Sequence, residues 1–335
     1  MNPDAKIYVA GHRGLVGSAI VRRLTTPSPL AGEGRGEGER NCPAHYTNII
    51  TRTHAELDLT DQHAVRDFFE HEKPEYVFLA AAKVGGILAN STYPADFIYQ
   101  NLAIQTNVIH ESWRHGVKRL LFLGSSCIYP RDCPQPIKEE YLLTGTLEET
   151  NKAYALAKIA GIEMCAAYNQ QHGTQFLCVM PSNSYGLGDN YDLQNSHVLP
   201  ALLRKFHEAK ERGDKEVAVW GTGTPRREFI YSDDLAEACV HLTNLSDAVF
   251  KSASSLQSST FPLINVGCGE DITIRDLAVV IKQVVDYQGA IVFDASKPDG
   301  TPRKLLDISQ IKQMGWMPRT SLLVGISKIY DDFCR

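Results

Sequence analysis

The first strand signal, Ile7-Tyr8-Val9-Ala10, runs directly into Gly11-His12-Arg13-Gly14-Leu15-Val16-Gly17 and then into the helix-prone Ser18-Ala19-Ile20-Val21-Arg22-Arg23-Leu24. Three glycines at this spacing, between a buried strand and a helix, leave few folds open. The first permits a tight turn, the second lets a pyrophosphate approach the backbone, and the third lets the helix pack on its strand. The helix N-terminus then offers free N–H groups and a positive dipole end to phosphate. The expected fold is an α/β, Rossmann-type doubly wound parallel sheet, and the expected ligand is a dinucleotide.

The next strands fit that expectation. Asn48-Ile49-Ile50-Thr51, Tyr76 to Ala82, Arg119 to Leu123 and Phe176 to Met180 are short apolar runs, as in sheets buried on both faces. Long helical stretches, Asp96 to His115 and Tyr154 to Gln171, separate the later ones. Beyond Pro181-Ser182-Asn183-Ser184-Tyr185-Gly186 the alternation loosens. Ser196 to Arg212 reads as a helix and Val217 to Gly221 as a strand. Phe229 to Asp234 then leads into a helix ending at Leu245, Ser252 to Thr260 reads as an exposed loop, and Leu263 to Gly267 returns to the sheet. We expect a nucleotide-binding body over 1–185 and 229–268, and a smaller C-terminal α/β substrate lobe over 186–228 and 269–335. Residues 27–43 alternate glycine with charge between prolines and read as a flexible insertion outside the fold.

The 335-residue chain is long enough for one large or two unequal domains. A formal charge of −5, with no basic stripe, excludes a nucleic-acid surface. The eight cysteines form no C-x-x-C pair and no His/Cys metal spacing, so neither a structural metal nor an oxidising compartment is expected. No apolar run approaches the ~20 residues needed to span a bilayer, and Met1 to Lys6 lacks a signal-peptide apolar core. A cytoplasmic location is expected.

The chemistry gathers after the strand Arg119 to Leu123, which stops at Gly124 and continues as Ser125-Ser126-Cys127-Ile128-Tyr129-Pro130. In an open α/β sheet, ligands sit at the carboxyl ends of strands. Downstream, Tyr154 and Lys158 lie one turn apart on an alanine-rich helix and share a face. A cation beside a phenol lowers its pKa towards what a general acid–base needs, and Ser125 can hydrogen-bond the same substrate oxygen. Cys127 reads either as a packed strand end or as a base with a depressed pKa. His197 reads as a helix cap or as the acid that a second face of a substrate ring would need.

No acidic residue follows the second strand to hold an adenosine 2′-hydroxyl, whereas Arg13 and Arg52 can pair with a 2′-phosphate, which favours NADP. Asp58 is placed to meet adenine, and Thr60 or Asp61 to cap the next helix. Trp220 is either core or the flat face for a base. Arg227, after a Gly/Thr/Pro turn, suits a bidentate hold on a diphosphate.

Several longer stretches carry a resemblance: Gly11-His12-Arg13-Gly14, Ala80 to Ile87, Ser125 to Pro130, Asn195 to Pro200, Trp220 to Phe229 and Lys297 to Lys304. They resemble the extended short-chain dehydrogenase/reductases and, within them, the GDP-L-fucose synthase family, over nearly the whole chain except the insertion. The resemblance implies an NADPH-dependent 3,5-epimerase and 4-reductase acting on GDP-4-keto-6-deoxy-D-mannose, and a homodimer paired through the two long helices. It implies that Ser125, Tyr154 and Lys158 carry reduction, Cys127 and His197 epimerisation. Lys205, Trp220, Arg227 and Asp299 would contact the nucleotide sugar. It places the cofactor against Gly11, His12, Arg13, Gly14, Leu15, Val16 and Gly17, then Arg52, His54, Asp58 and Leu59. Further contacts would come from Leu123, Gly124, Ser125, Ser126, Lys158, Pro181, Ser182, Asn183, Ser184 and His197. One departure stands out, since the family often has arginine at the place of His54, which leaves NADP preference to Arg13 and Arg52. An NAD-dependent 4-epimerase or a 4,6-dehydratase of the same fold would use other residues beside the serine, a dehydratase an acidic pair. A non-catalytic NADP-binding regulator would have no need of the Ser125/Tyr154/Lys158 set.

Overall fold

The computed structural model describes residues 1–26, 45–193, 196–255, 262–297 and 299–335. The expected insertion, 27–43, lies outside the described residues, as do Asn195 and Pro298 of the diagnostic stretches.

Strand β1 (Ile7–Ala10) leads into helix α1 (Leu15–Thr25), and β2 (Ile49–Ile50) follows. Helix α2 (Gln62–Glu72) starts where the Asp61 side chain accepts from the backbone N–H groups of His63 and Ala64, as the sequence anticipates. Then come β3 (Tyr76–Leu79), α3 (Ile87–Thr92), α4 (Pro94–Arg114), β4 (Arg119–Leu123), α5 (Lys152–His172), β5 (Phe176–Pro181) and β6 (Asn183–Tyr185). The chain continues through α6 (Val198–Arg212), β7 (Glu216–Trp220), β8 (Arg226–Tyr231), α7 (Ser232–Asn244), α8 (Asp247–Ser255) and β9 (Leu263–Val266). It closes with β10 (Asp271–Thr273), α9 (Ile274–Val285), β11 (Ala290–Asp294), β12 (Arg303–Lys304), α10 (Ser309–Gln313) and α11 (Leu322–Phe333). Several boundaries differ from the sequence reading: β3 stops at Leu79 instead of Ala82, β8 spans Arg226–Tyr231, and α7 starts at Ser232, inside the stretch read as leading into it. α6 starts at Val198, and α8 carries helix through Ser255 into the serine-rich stretch read as loop, of which 256–260 lie outside the described residues.

The main sheet has six strands in the order β2-β1-β3-β4-β5-β9, all pairs parallel. The chain leaves β1 for one edge and returns to its other side as β3, so the order reverses there. Crevices for ligands open at the carboxyl ends of strands at such a point. Burial explains the sheet: every residue of β1, β4 and β9 is buried, as covered parallel strands require. Helices α4 and α5 pack on one face. Gln105 reaches across and donates its Nε2–H to the carbonyl of Ala157 at 2.5 Å. Gly161 has no Cβ because one would meet the Phe122 ring at 2.7 Å, so glycine lets α5 sit down on β4.

Past β5 the strands form smaller sheets. β8 pairs with β10, β12 and β6, and β11 pairs with β7 in parallel. A second apolar cluster, built from α6, α9, α11, β7 and β8, holds Leu203, Phe206, Val219, Leu277, Ile281 and Ile326. Leu306, Ile308, Ile311 and Trp316 turn back and pack into the first core. β8 contributes to both, with Ile230 in the first core and Phe229 and Tyr231 in the second.

Candidate active site

A cleft of about 770 Å³ opens over the carboxyl ends of β1, β3, β4 and β5, the reversal point of the sheet. Its floor is the glycine turn. Gly11 has φ +83°, and a Cβ there would sit 2.6 Å from the Ala81 nitrogen; one on Gly17 would sit 2.1 Å from the Gly11 carbonyl oxygen. Only glycines let the turn tuck under β3 and let α1 start so close to β1. Gly14 caps α1 without any side-chain hydrogen bond, so no side chain competes for the helix's first amides.

Of the residues expected at the cofactor, Gly11, Arg13, Gly14, Leu15, Val16, Gly17, Arg52, His54, Asp58, Leu59, Leu123, Gly124, Ser125, Ser126, Lys158, Pro181, Ser182, Asn183, Ser184 and His197 line this cleft. His12 does not, and its Nδ1 is buried without a hydrogen bond. The cleft suits a dinucleotide on two grounds besides its glycine cradle. Ser182 Oγ, Asp189 Oδ2 and Ser196 Oγ, all on residues of its wall, are buried polar atoms with no protein partner. Ala80, Ala81 and Ala82 keep the opposite wall flat.

At the adenosine end the two arginines separate. Arg52 donates to the Glu72 carboxylate at 2.6 Å and to the Thr51 carbonyl at 2.9 Å, so its charge is already met. Arg13 is exposed at the mouth of the cleft. His54 sits 3.8 Å from Asp58, whose carboxylate is held below its ordinary pKa by hydrogen bonds from the Thr60 backbone and hydroxyl.

The centre of the cleft carries the serine, tyrosine and lysine. Ser125 caps the 3₁₀ turn Ser126–Ile128 by accepting from the Cys127 N–H. Lys158 is 2% exposed, and its ammonium donates to the Leu123 carbonyl at 2.8 Å, while lying 4.6 Å from the Phe122 ring centroid. Burial lowers its pKa to about 8. The ammonium lies 5.8 Å from the centre of the Tyr154 ring. Burial pushes the Tyr154 pKa up, Cys127 adds to this, and a hydrogen bond with Ser125 opposes it. The sequence led us to expect a phenol acidified by Lys158. The structure differs because burial outweighs every nearby favourable interaction.

Cys127, 5% exposed, follows the same rule: burial raises its pKa against the expected depression. Lys304, the Ser125 hydroxyl and Lys158 pull the other way. His197 stands at the head of α6 and opens onto the cleft, so solvent reaches the ring while protein crowding still lowers its pKa.

The residues expected at the nucleotide sugar lie beyond this cleft, among β7, β8 and the segment before β12. Trp220 is 54% exposed, with Lys205 Nζ 5.0 Å and Lys297 Nζ 5.4 Å from its ring centroid. Asp299 accepts from the Thr222 backbone and hydroxyl, both at 2.8 Å. Arg227 is largely buried, which lowers its pKa against the attraction of Asp299 and Glu148.

Sequence reasoning missed Lys304 and Glu148. Lys304 lies deep beside Cys127, Arg227 and Glu148, and burial lowers its pKa. The Glu148 side chain is nearly buried, 3.5 Å from Arg131. Lys304 stood inside a quoted stretch, but nothing in Pro302-Arg303-Lys304 tells which basic side chain turns inward. No group of metal-ligating side chains exists among the described residues.

Residues 7–253 match the NAD dependent epimerase/dehydratase family. The chain belongs to that family. Among the family's characterised proteins, it is 55% identical to GDP-L-fucose synthase 1 of Arabidopsis thaliana over 98% of this chain and 93% of that protein. It is 52% identical to the GDP-L-fucose synthase of Escherichia coli (strain K12), over 98% and 96%. Among solved epimerase-family structures, a GDP-6-OMe-4-keto-L-xylo-heptose reductase from C. jejuni superposes with a TM-score of 0.86 at 38% identity, covering 100% and 99% of the two chains. A GDP-L-fucose synthetase from Naegleria fowleri bound to NADP superposes with a TM-score of 0.80 at 25% identity, covering 100% and 95%. The resemblance expected from the motifs is borne out, and so is the Rossmann-type fold.

Proposed function

We propose that this enzyme converts GDP-4-keto-6-deoxy-D-mannose to GDP-L-fucose, by 3,5-epimerisation followed by NADPH-dependent reduction of the 4-keto group. The observation that carries the reading is the meeting of two sets of groups at one strand end. Ser125, Tyr154 and Lys158 suit a ketone reduction, and Cys127 lies within the same turn.

A 4-keto group acidifies the C–H bonds on both neighbouring carbons, so epimerisation needs a base and an acid on opposite ring faces. Cys127 is the proposed base, with Lys304 and Lys158 as the cations that favour its thiolate. His197, across the cleft, is the proposed acid. Ser125 and Tyr154 hold the keto oxygen while negative charge develops on it. In the last step Tyr154 gives its proton to that oxygen, and the Lys158 charge favours the phenolate left behind. Bound NADPH supplies the hydride; Gly11 to Gly17 would cradle its pyrophosphate, and Arg13 its 2′-phosphate. Arg227 and Lys304 would meet the substrate's diphosphate, and Trp220 with Lys205 and Asp299 its nucleoside.

The expected lobes, 1–185 with 229–268 and 186–228 with 269–335, remain our proposal for how the two ligands divide. We also propose a cytoplasmic homodimer paired through α4 and α5. In support, no described helix is long and apolar enough to cross a membrane. Leu156, Ala160, Glu163 and Ala167 form an exposed stripe along α5, and Tyr99 is exposed on α4.

The deciding experiment is product analysis after incubating the enzyme with GDP-4-keto-6-deoxy-D-mannose and NADPH. Stoichiometric NADPH consumption with GDP-L-fucose as product is the expected result. An unepimerised 6-deoxy sugar, or no oxidation of NADPH, would overturn the assignment.

A further inference from the structure

β12 is only two residues long, yet it carries Lys304 into the site. It runs parallel to β8 with Arg303 opposite Arg226 and Lys304 opposite Arg227. On the other side of β8 lies β10, antiparallel, with Asp271 opposite Glu228. Side chains alternate between the faces of a sheet, and register-matched neighbours share a face. Arg226, Arg303, Glu228 and Asp271 therefore share one face, and Arg227 and Lys304 the other.

The two faces differ in how their charges are met. On the first, the Asp271 side chain is 5% exposed and receives both arginines. Arg226 donates through Nε at 2.8 Å, and Arg303 bonds the second carboxylate oxygen. Arg226 Nη2 also reaches the Asp271 carbonyl at 2.9 Å. On the second face, Arg227 donates to the carbonyl of Arg226, and among the described residues neither Arg227 nor Lys304 forms an ion pair with a carboxylate. Two neighbouring cations repel, and a two-residue strand has little pairing of its own to hold them together. The Glu228 carboxylate on β8 accepts from the Gly269 and Leu306 N–H groups at 2.7 and 2.9 Å, just outside β10 and β12, and the Asp271 carboxylate ties the charged side chains of β10, β8 and β12 themselves together.

We propose that Asp271 is a positioning residue for diphosphate recognition: by clamping Arg226 and Arg303 it locks β12 against β8 and holds Arg227 and Lys304 side by side as a preformed anion site. The inference rests on the reading of the substrate as a nucleoside diphosphate sugar. It assigns Asp271 no contact with the substrate.

The test uses the full-length enzyme, GDP binding by calorimetry and steady-state kinetics. Asp271→Asn keeps the shape and removes the charge. It should weaken GDP binding and raise KM for the keto-sugar together, by about tenfold or more given the cost of misplacing such groups. NADPH affinity should stay within about twofold of wild type, since the cofactor is held elsewhere. Asp271→Glu, which restores the carboxylate, should recover most of the GDP affinity. Unchanged GDP binding in a folded Asp271→Asn variant would overturn the clamp. So would parallel losses of GDP and NADPH affinity that Asp271→Glu does not restore, because that pattern marks a general structural role. If Asp271→Asn does not fold, Arg303→Gln removes one arm of the clamp at a half-exposed position. A loss of GDP affinity with intact NADPH binding supports the proposal there, and no loss overturns it. A wild-type enzyme that ignores GDP but binds UDP, and binds it more weakly as Asp271→Asn, would overturn the substrate reading and keep the clamp.

Discussion

Lys158 reaches from α5 to the end of β4 and donates to the carbonyl of Leu123 at 2.8 Å. That one bond seats a buried charge under the strand end that carries Ser125 and Cys127. It also has consequences that can be measured.

Burial lowers the Lys158 pKa from about 10.5 to about 8. Between those values the folded chain binds fewer protons than the unfolded one, so this group makes stability rise with pH across that window. At pH 7 it is a penalty. Lys158→Met should therefore melt about 2–5 °C higher than wild type at pH 7, with the gap closing towards pH 10, while ketone reduction falls by orders of magnitude. A variant that melts lower at pH 7 would mean that the bond to Leu123 outweighs the buried charge.

The proposed half-reactions should separate by mutation. Enolisation exchanges the hydrogens at carbons 3 and 5 with solvent, so wild-type enzyme in D₂O should place deuterium at both. Cys127→Ala should abolish the labelling while binding NADPH normally. Tyr154→Phe should suppress reduction more than exchange, and His197→Gln should lower labelling at one or both carbons. Wild-type exchange in Cys127→Ala would send the search for the base elsewhere.

Cofactor choice should rest on Arg13 more than on Arg52, because Arg52 is already paired with Glu72 at 2.6 Å. Arg13→Ala should raise KM for NADPH at least about tenfold, as loss of a charge-assisted phosphate contact does, and leave KM for NADH nearly unchanged. Equal effects on the two cofactors would remove the 2′-phosphate from Arg13.

Glu139 offers a test of stability alone. It is buried, its carboxylate accepts from the Asn265 N–H at 3.0 Å, and burial raises its pKa to about 7. The folded chain keeps a proton here that the unfolded chain releases above about pH 4.5. This contribution is thus complete below that pH and is lost as pH rises through 7. Glu139→Gln keeps the acceptor oxygen without the ionisation, so Tm should fall less between pH 5 and 7 than in wild type. Identical slopes would mean that the ionised group is accommodated at no cost.

Much of the fold was legible because its signals are local. Gly11, Gly14 and Gly17 follow a buried strand, and Gly11 and Gly17 are required by contacts within a few residues or with the adjacent strand. The i, i+4 spacing of Tyr154 and Lys158 put them on one face of α5. The position of Ser125 followed from where an apolar run stopped. Less legible were boundaries set by longer-range partners, such as the start of α6 and the helix α8 running into the serines.

The sequence by itself determined the sheet and the glycine turn and nominated the candidate reacting groups, since these depend on periodicity, backbone freedom and side-chain chemistry over short spans. Tertiary structure decided how those groups behave. Cys127 and Lys158 owe their shifted pKa values to burial by distant segments, and Arg52 is taken from the cofactor by Glu72, one helix away. Lys304 enters the site only because its strand pairs in register with β8, across about eighty residues of intervening chain. Desolvation and register are sums over contacts distant in sequence, and no local pattern encodes them.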